Sequence, residues 1–441
     1  MGRRTKVRHL DIWMNGEPVG RWTRTAQGQH EFRYAEAWLR SPAARTLSLS
    51  MPMQDPRVPY KGERVEAYFD NLLPDSPAIR QRVRSRFGAA STAAFDLLAE
   101  IGRDCVGAIQ LMPADVPARD VRRIHADPLG EPDVAALLRA TVSPAVLGQR
   151  DGEAFRISLA GAQEKTALLW HEGRWHLPRG TTPTTHIMKL PLGRVGGVQA
   201  DMSTSIENEW LCAQIVRAFG LPVARCEIAR FEDQKALVVE RFDRRRSPSG
   251  GWWLRLPQED MCQATATPMD LKYESAGGPG IREIMRLLLG AREAAADRAC
   301  FFKTQVLFWM LAAIDGHAKN FSVFLEPRDR FSLTPLYDVL SAYPILGHNA
   351  NQLPPEKITL AMAARGNNTH YRWAKILPRH WLSTAERCDF NGAEEILAEL
   401  AEATPAVIGR VRQTLPGGFP AEVSEPILAG LEHAAERLSA G

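Results

Sequence analysis

Asp315 and Asn320 lie five residues apart in the segment DGHAKN (315–320), directly after the apolar run FFKTQVLFWMLAAI. A helix that only packs would be followed by a neutral turn, whereas this one runs into Asp315, Gly316, His317, Lys319 and Asn320. A carboxylate and an amide at this spacing suit phosphoryl transfer. That chemistry asks for positioned reactants, divalent metal to neutralise phosphate charge, and a carboxylate to orient the attacking hydroxyl and accept its proton. Asp338, in LTPLYDVLSA, follows two short strand-like runs joined by a turn. With Asn320 it offers two oxygen ligands of the kind Mg2+ takes. Each residue also has a plainer use: Asp315 and Asn320 fit a capped loop after a helix, and Asp338 fits an N-cap for the segment behind it.

The elements upstream would have to bring a nucleotide to these groups. THIMKLP places Lys189 in a strand of alternating character, where a lysine is either a solvated edge residue or a partner for phosphates. The loop SLAGAQEK (158–165) has one glycine, Gly161, followed by Ala162. Its small residues let backbone N–H groups approach phosphate, although a plain β-turn fits equally well. The helical segment SIENEWLCAQIVRAFGLP starts at Ser205, a suitable N-cap, and Gly220 and Pro222 stop it. Ile206, Trp210, Ala213, Val216 and Phe219 share one face, and Glu207 and Glu209 are candidate partners for the lysine, Glu209 the better placed. In ALVVERFDR, residues Glu240, Arg241 and Phe242 would form a hinge whose backbone pairs with an adenine edge. The order is loop-bearing hairpin, lysine strand, helix, two strands, connector and helical lobe, which is the order of a protein kinase. There the catalytic loop reads H-R-D-x-x-x-x-N and the metal aspartate opens D-F-G; here AAID replaces His-Arg-Asp and YDV stands at the second place.

Composition sets wide bounds. The 441 residues leave room for two or three domains. A hydrophobic share of 45% and a charged share of 24% are those of an ordinary soluble globular chain. The net charge of +4 is small, so charge alone does not predict nucleic-acid binding. The basic opening MGRRTKVRH leads into no long apolar stretch, which argues against a secretory signal, and LFWMLAAI is too short to span a membrane. None of the six cysteines (105, 212, 226, 262, 300, 388) forms a C-x-x-C pair, so no zinc site or disulfide framework is indicated and a reducing cytoplasm is the simplest location. Residues 1–112 mix strands, turns and helices: LDIWMNGEPVGRWTR is a hairpin with an Asn-Gly turn, and two helices follow with Asp75 and Ser91 as N-caps and Gly102 as a stop. A proline-rich connector (113–153), a strand-rich region (154–255) and a mostly helical region (256–441) complete the chain.

Taken together, these segments resemble the HipA family of bacterial toxin kinases. FDNLLPDSP, FDLLAEIGRDCVGA, FRISLAGAQEKTALL, PTTHIMKLP, VVERFDRR, LRLPQEDMCQ, KYESAGGPGI, DGHAKNFSVF and LTPLYD carry the likeness along nearly the whole chain. The resemblance implies an α+β, two-lobed protein-kinase-like fold with a small N-terminal α/β subdomain and a mostly helical C-terminal lobe. It implies a Mg2+-ATP-dependent serine/threonine kinase that phosphorylates an aminoacyl-tRNA synthetase, glutamyl-tRNA synthetase in the best-known branch, and so stalls translation. It implies a HipB-type helix-turn-helix antitoxin as partner, with operator DNA bound through that complex. Residue by residue, Asp315 matches the catalytic aspartate, His317 a residue near the phosphates, and Asn320 and Asp338 the Mg2+ ligands. Lys189 matches the nucleotide lysine, Glu240 and Phe242 the adenine hinge, and Ser158 a serine that such enzymes autophosphorylate. The basic N-terminus and the stretch 344–370 depart from the family pattern, which bears on antitoxin fit.

Two other readings stand beside the kinase toxin: a kinase-shaped corepressor acting through antitoxin and DNA, and a small-molecule kinase on a related fold. HYRWAKILPRHW groups Arg372, Lys375, Arg379 and His380 with two tryptophans. It reads as a solvated helix face, or as a phosphate contact beside the antitoxin.

Overall fold

Asn15 (φ 47°) and Gly16 (φ 90°) both take the left-handed backbone that a two-residue type I′ hairpin needs. They join strands Arg8–Met14 and Glu17–Arg24 in antiparallel register, Met14 facing Glu17. The computed structural model describes residues 8–113, 121–142 and 163–440. These fall into two units: one built from the described residues up to Leu190 with Arg230–Asp270 and Ser322–Phe331, the other from Pro191–Ala229, Leu271–Phe321 and the chain from Ser332 onward.

In the first unit the hairpin belongs to an antiparallel sheet whose spatial order is Tyr60–Lys61, His30–Tyr34, Glu17–Arg24, Arg8–Met14 and Ile109–Pro113. Its buried face carries Trp22, which stacks on Phe69 (4.0 Å, 12°) and meets Phe95 from the two helices Glu63–Asp70 and Ala94–Ile101. The cap of helix Pro77–Phe87 is Ser76, not Asp75: its hydroxyl accepts from the Ile79 N–H. Ser91 likewise lies two residues ahead of the next helix cap, its hydroxyl accepting from Ala93 and donating to Asp96. Gly102 does end that helix. A Cβ there would sit 2.5 Å from the Leu98 carbonyl.

A second sheet in this unit runs Gln234–Glu240, His186–Lys189, Lys165–His171, Arg174–Pro178 and Ala126–Leu129, antiparallel at each step. Asn15 exchanges hydrogen bonds with the Arg255 backbone, 2.9 Å each way, and so ties the hairpin to the strand pair Arg244–Arg246 and Trp253–Arg255. Beneath lies a charge cluster with no exit to water. Asp104 Oδ1 accepts from Arg244 (2.9 Å) and Arg255 (3.1 Å), and Oδ2 from the Thr184 N–H (3.0 Å) and hydroxyl (2.8 Å) and from Arg241 (3.4 Å). Asp243 pairs with Arg241 at 2.8 Å and Arg244 at 2.9 Å. All five side chains are buried.

The second unit is mostly helical, with helices Ser205–Ala218, Ile281–Leu287, Ala294–Met310, Pro378–Arg387, Ala393–Thr414 and Ala421–Ser439. Helix 205–218 opens at Ser205, but Thr204 is the cap residue; the Ser205 hydroxyl instead accepts from the Leu192 N–H at 3.0 Å. Burial reaches beyond the expected stripe to Leu211, Cys212 and Ile215, so the helix is packed on more than one face, while Trp210 is only half-buried, against Phe419. HYRWAKILPRHW is not one helix. It is a strand end, a 3-10 turn and the first helical turn of Pro378–Arg387, with Trp373 and Trp381 in the core. His380 is buried and stacked on His370 (3.8 Å, 10°), which leaves Arg372, Lys375 and Arg379 as the exposed cations of that segment. All six cysteines are free, and no helix among the described residues is long and apolar enough to cross a membrane.

Candidate active site

The exit of helix Ala294–Met310 shows why polar groups follow its apolar end. Leu311 caps it, Ala312 turns left-handed (φ 47°), and two N–H groups reach back, Ala312 to Trp309 (3.1 Å) and Ala313 to Phe308 (2.8 Å). This is a Schellman ending with alanine where glycine is usual, a conformation that opposes an L-residue by about 1–2 kcal/mol. Surrounding bonds hold it: the Ser341 hydroxyl donates to the Leu311 carbonyl (2.6 Å) and the Ala342 N–H to the Ala312 carbonyl (3.0 Å). Gly316 lies against the Phe308 ring, where a Cβ would come within 2.5 Å. The chain therefore leaves the core in one direction and presents Asp315 with its side chain 59% exposed, while His317, Ala318, Lys319 and Asn320 turn inward and are buried.

The Asp315–Asn320 spacing closes a ring. Asn320 Nδ2 donates to the Asp315 carbonyl at 2.8 Å, and the Asn320 N–H to the His317 carbonyl at 2.9 Å. With its NH2 turned inward, the amide keeps Oδ1 as its acceptor, the atom type that binds a hard cation. Tyr273 donates its hydroxyl to Asp315 Oδ1 at 2.5 Å and stands edge-on to His317 (5.1 Å, 86°). His317 Nε2 is 3.9 Å from Asp315 Oδ2.

Asp338 sits between two anchored neighbours, one of them fastened to the Asp315 loop. The Tyr337 hydroxyl donates to the Lys319 carbonyl at 2.9 Å. Asn208, between Glu207 and Glu209 on helix 205–218, clamps the segment behind Asp338 by donating to the Ser341 carbonyl (2.7 Å) and accepting its N–H (2.8 Å). Asp338 itself is left-handed (φ 60°), a conformation aspartate tolerates better than most residues and one that gathers at functional sites. Among the described residues no cluster of three or more His, Cys, Asp or Glu side chains is placed to hold a metal. One carboxylate and one amide oxygen is a set that fits Mg2+ when nucleotide phosphates and water complete the shell, so Asp338 and Asn320 suit that ion.

Lys189, Glu240, Arg241 and Phe242 lie in the first unit. Lys189 is buried at the end of its strand, and the register sets it directly opposite Lys165 on one neighbour and Leu237 on the other. Residues directly opposite one another on neighbouring antiparallel strands share a sheet face, so the two lysines lie on the same side. Lys165 was not singled out from the sequence. Its signal was present, as the last residue of the loop SLAGAQEK, but only the pairing register reveals the neighbour. Glu240 ends its strand exposed, and the Arg241 N–H donates to the Thr185 carbonyl at 2.9 Å. The Arg241 side chain is committed to Asp104 and Asp243, and half-buried Phe242 packs edge-on to Phe324 (5.8 Å, 88°). Glu207 and Glu209 are both buried in the second unit. Ser158, Gly161 and Ala162 lie outside the described residues.

Comparison with known proteins agrees on one family. Residues 157–408 match the model of the HipA-like C-terminal domain, and residues 10–112 that of the HipA N-terminal domain. The protein Y4mE of Sinorhizobium fredii is 34% identical over 378 residues, covering 84% of this chain and 86% of its own. The serine/threonine-protein kinase toxin HipA of Shewanella oneidensis is 29% identical over 303 residues, 65% of this chain and 66% of its own. A chain in the solved complex of HipA, HipB and operator DNA from Shewanella oneidensis shares the fold, with a TM-score of 0.78 at 22% identity over 97% of each chain. That likeness bears out the two-lobed, kinase-like α+β fold.

Proposed function

The chain belongs to the HipA family of serine/threonine-protein kinase toxins, and from that premise we propose that it transfers the γ-phosphoryl group of ATP, with Mg2+, to a serine of an aminoacyl-tRNA synthetase, glutamyl-tRNA synthetase first among them. The observation that carries the reading is the Asp315 loop: an exposed carboxylate with one oxygen held by Tyr273 and the backbone ring closed by Asn320. Asp315 Oδ2 then orients the acceptor hydroxyl and takes its proton. Asn320 and Asp338 would hold the Mg2+, Lys189, with Lys165 opposite it in register, would pair with phosphate, and Glu240 and Phe242 would meet the adenine. When bound, Mg2+-ATP supplies the phosphoryl group with its charge partly neutralised. His317, buried beside Asp315, would be the remaining group near the phosphates.

The same reading makes Ser158 a target of autophosphorylation, places the protein in the cytoplasm, and gives it a HipB-type antitoxin as partner, with operator DNA reached through that complex. Support for the last point is the shared fold with a chain solved with HipB and operator DNA. Incubation with labelled ATP, Mg2+ and a clarified bacterial lysate tests the proposal, with Asp315→Gln as control. Label on a synthetase that disappears with Asp315→Gln is the expected result. Label confined to small metabolites overturns the protein-kinase reading, and no label at all leaves the protein a corepressor.

A further inference from the structure

Tyr273 reaches Asp315 from a turn, 272–280 (KYESAGGPG), that is built to be stiff. Its own hydrogen bonds, Ala276 and Gly278 N–H to the Tyr273 carbonyl and Gly277 N–H to Glu274, are each 3.0 Å. Gly277 is left-handed (φ 101°), and a Cβ at Gly278 would fall 2.0 Å from the Leu271 carbonyl oxygen. At Gly280 it would fall 2.3 Å from the Glu274 carboxyl. No larger residue fits at either place without moving the backbone or the buried carboxylate.

The turn is then fastened at two points. The Glu274 side chain, only 6% exposed, accepts from the Ala363 N–H at 2.7 Å and pairs with Arg365, both on strand Thr359–Arg365. The Lys272 carbonyl accepts the Ala318 N–H at 3.2 Å, within the loop that carries Asp315. Between these anchors, Tyr273 has its ring edge-on to His317 and its hydroxyl on Asp315 Oδ1.

An exposed aspartate on a loop samples several rotamers unless something holds it. In the H-R-D loop the residues before the aspartate are available for that task; here they are Ala312, Ala313 and Ile314, which have no polar side chain. We propose that Tyr273 is the positioning residue for the Asp315 carboxylate, and that the turn 272–280 exists to hold it there. The phenol occupies Oδ1 through a charge-assisted bond and so assigns Oδ2 to the acceptor hydroxyl. This rests on the reading of Asp315 as the base for phosphoryl transfer.

The test is Tyr273→Phe in the full chain, which keeps the ring and removes only the donor. Initial rates of label transfer from ATP to a clarified bacterial lysate are measured with ATP varied, and thermal stability is measured alongside. The maximal rate should fall about tenfold to a hundredfold, as expected for one hydrogen bond to a charged group. The KM for ATP should stay within about twofold and the melting temperature within about 2 °C, since neither depends on the phenol. A maximal rate within twofold of wild type overturns the inference. So does a loss that appears as weaker ATP binding or lower stability, because Tyr273 would then be a packing residue. Wild-type protein that transfers no label defeats the kinase reading, and this inference with it; an active wild type beside an equally active Tyr273→Phe defeats the inference alone.

Discussion

Asp104→Asn should destabilise the first unit severely while leaving its shape-determining volume unchanged. Asp104 is shared by three guanidiniums, and with Asp243 the cluster holds two carboxylates against Arg241, Arg244 and Arg255. An asparagine amide must put its NH2 at one oxygen position. At Oδ1 it would face the N–H donors of Arg244 and Arg255; at Oδ2 it would face Thr184 and Arg241. Either orientation opposes donor to donor at two or more buried contacts. At about 1.5–3 kcal/mol for each hydrogen bond to a charge, the loss is roughly 3–6 kcal/mol, in line with about 3–5 kcal/mol for breaking a buried ion pair by removing one partner. For a unit of this order of size, at about 2–4 °C per kcal/mol, that is a fall in Tm of roughly 6–24 °C. Burial alone would raise the Asp104 carboxyl, but Arg244, Arg255, Arg241 and the Thr184 N–H outweigh it and hold the group well below the usual carboxylate range. Its stabilising contribution is therefore complete above about pH 4 and is lost as pH falls toward the depressed folded value. The difference between wild type and Asp104→Asn should accordingly be largest at neutral pH and shrink in acid. Calorimetric melts at pH 7 and in a descending pH series measure both. A Tm within about 2 °C of wild type at pH 7 refutes the claim that Asp104 neutralises the cluster.

Three further outcomes are expected. Asp338→Ala removes the proposed anionic metal ligand, so ATP affinity measured calorimetrically should fall in Mg2+ and change little in its absence; equal affinity for both proteins in Mg2+ would place the ligand elsewhere. Glu259 is fully buried, and burial pushes its carboxyl up to about 8, against the lowering effect of the Leu49 N–H and Ser48. The folded chain thus keeps a proton that the unfolded chain releases near pH 4.5, and wild-type stability should decline from there to about pH 8, by roughly 5 kcal/mol at most. Glu259→Gln should lack that decline and gain on wild type as pH rises, and parallel denaturation curves for the two across that window would show Glu259 to be ionised in the fold. Ser158→Ala should carry no phosphate after incubation with Mg2+-ATP, and wild-type protein phosphorylated at Ser158 should bind ATP poorly, because about −1.5 to −2 charge in the proposed phosphate loop would repel a polyanion. Mass spectrometry followed by ATP titration reads both, and full affinity in the modified form would end the switch idea.

What the amino-acid sequence determined alone is local in origin. The Asn15-Gly16 hairpin, the stop at Gly102, the strand carrying Lys189 and the fivefold spacing of Asp315 and Asn320 all follow from backbone preference and periodicity over a few residues, and the structure has each of them. The helix caps slipped by one or two residues because Ser, Asp and Thr neighbours compete for one place, and packing decides which backbone enters the helix. Residues joined across long stretches of chain were invisible. Tyr273 meets Asp315 across 42 positions, Asn208 meets Ser341 across 133, and Arg244 meets Asp104 across 140. Lys165 became Lys189's neighbour only through strand register, where a slip of one residue would turn its side chain to the other face. His380, counted from the sequence among solvated cations, is buried because the strand Thr359–Arg365 and its partner bring His370 onto it. Residue type and spacing name the groups that can transfer a phosphoryl; which oxygen is held, which carbonyl is capped and which charge is neutralised depend on contacts whose partners only the folded chain brings within hydrogen-bond distance.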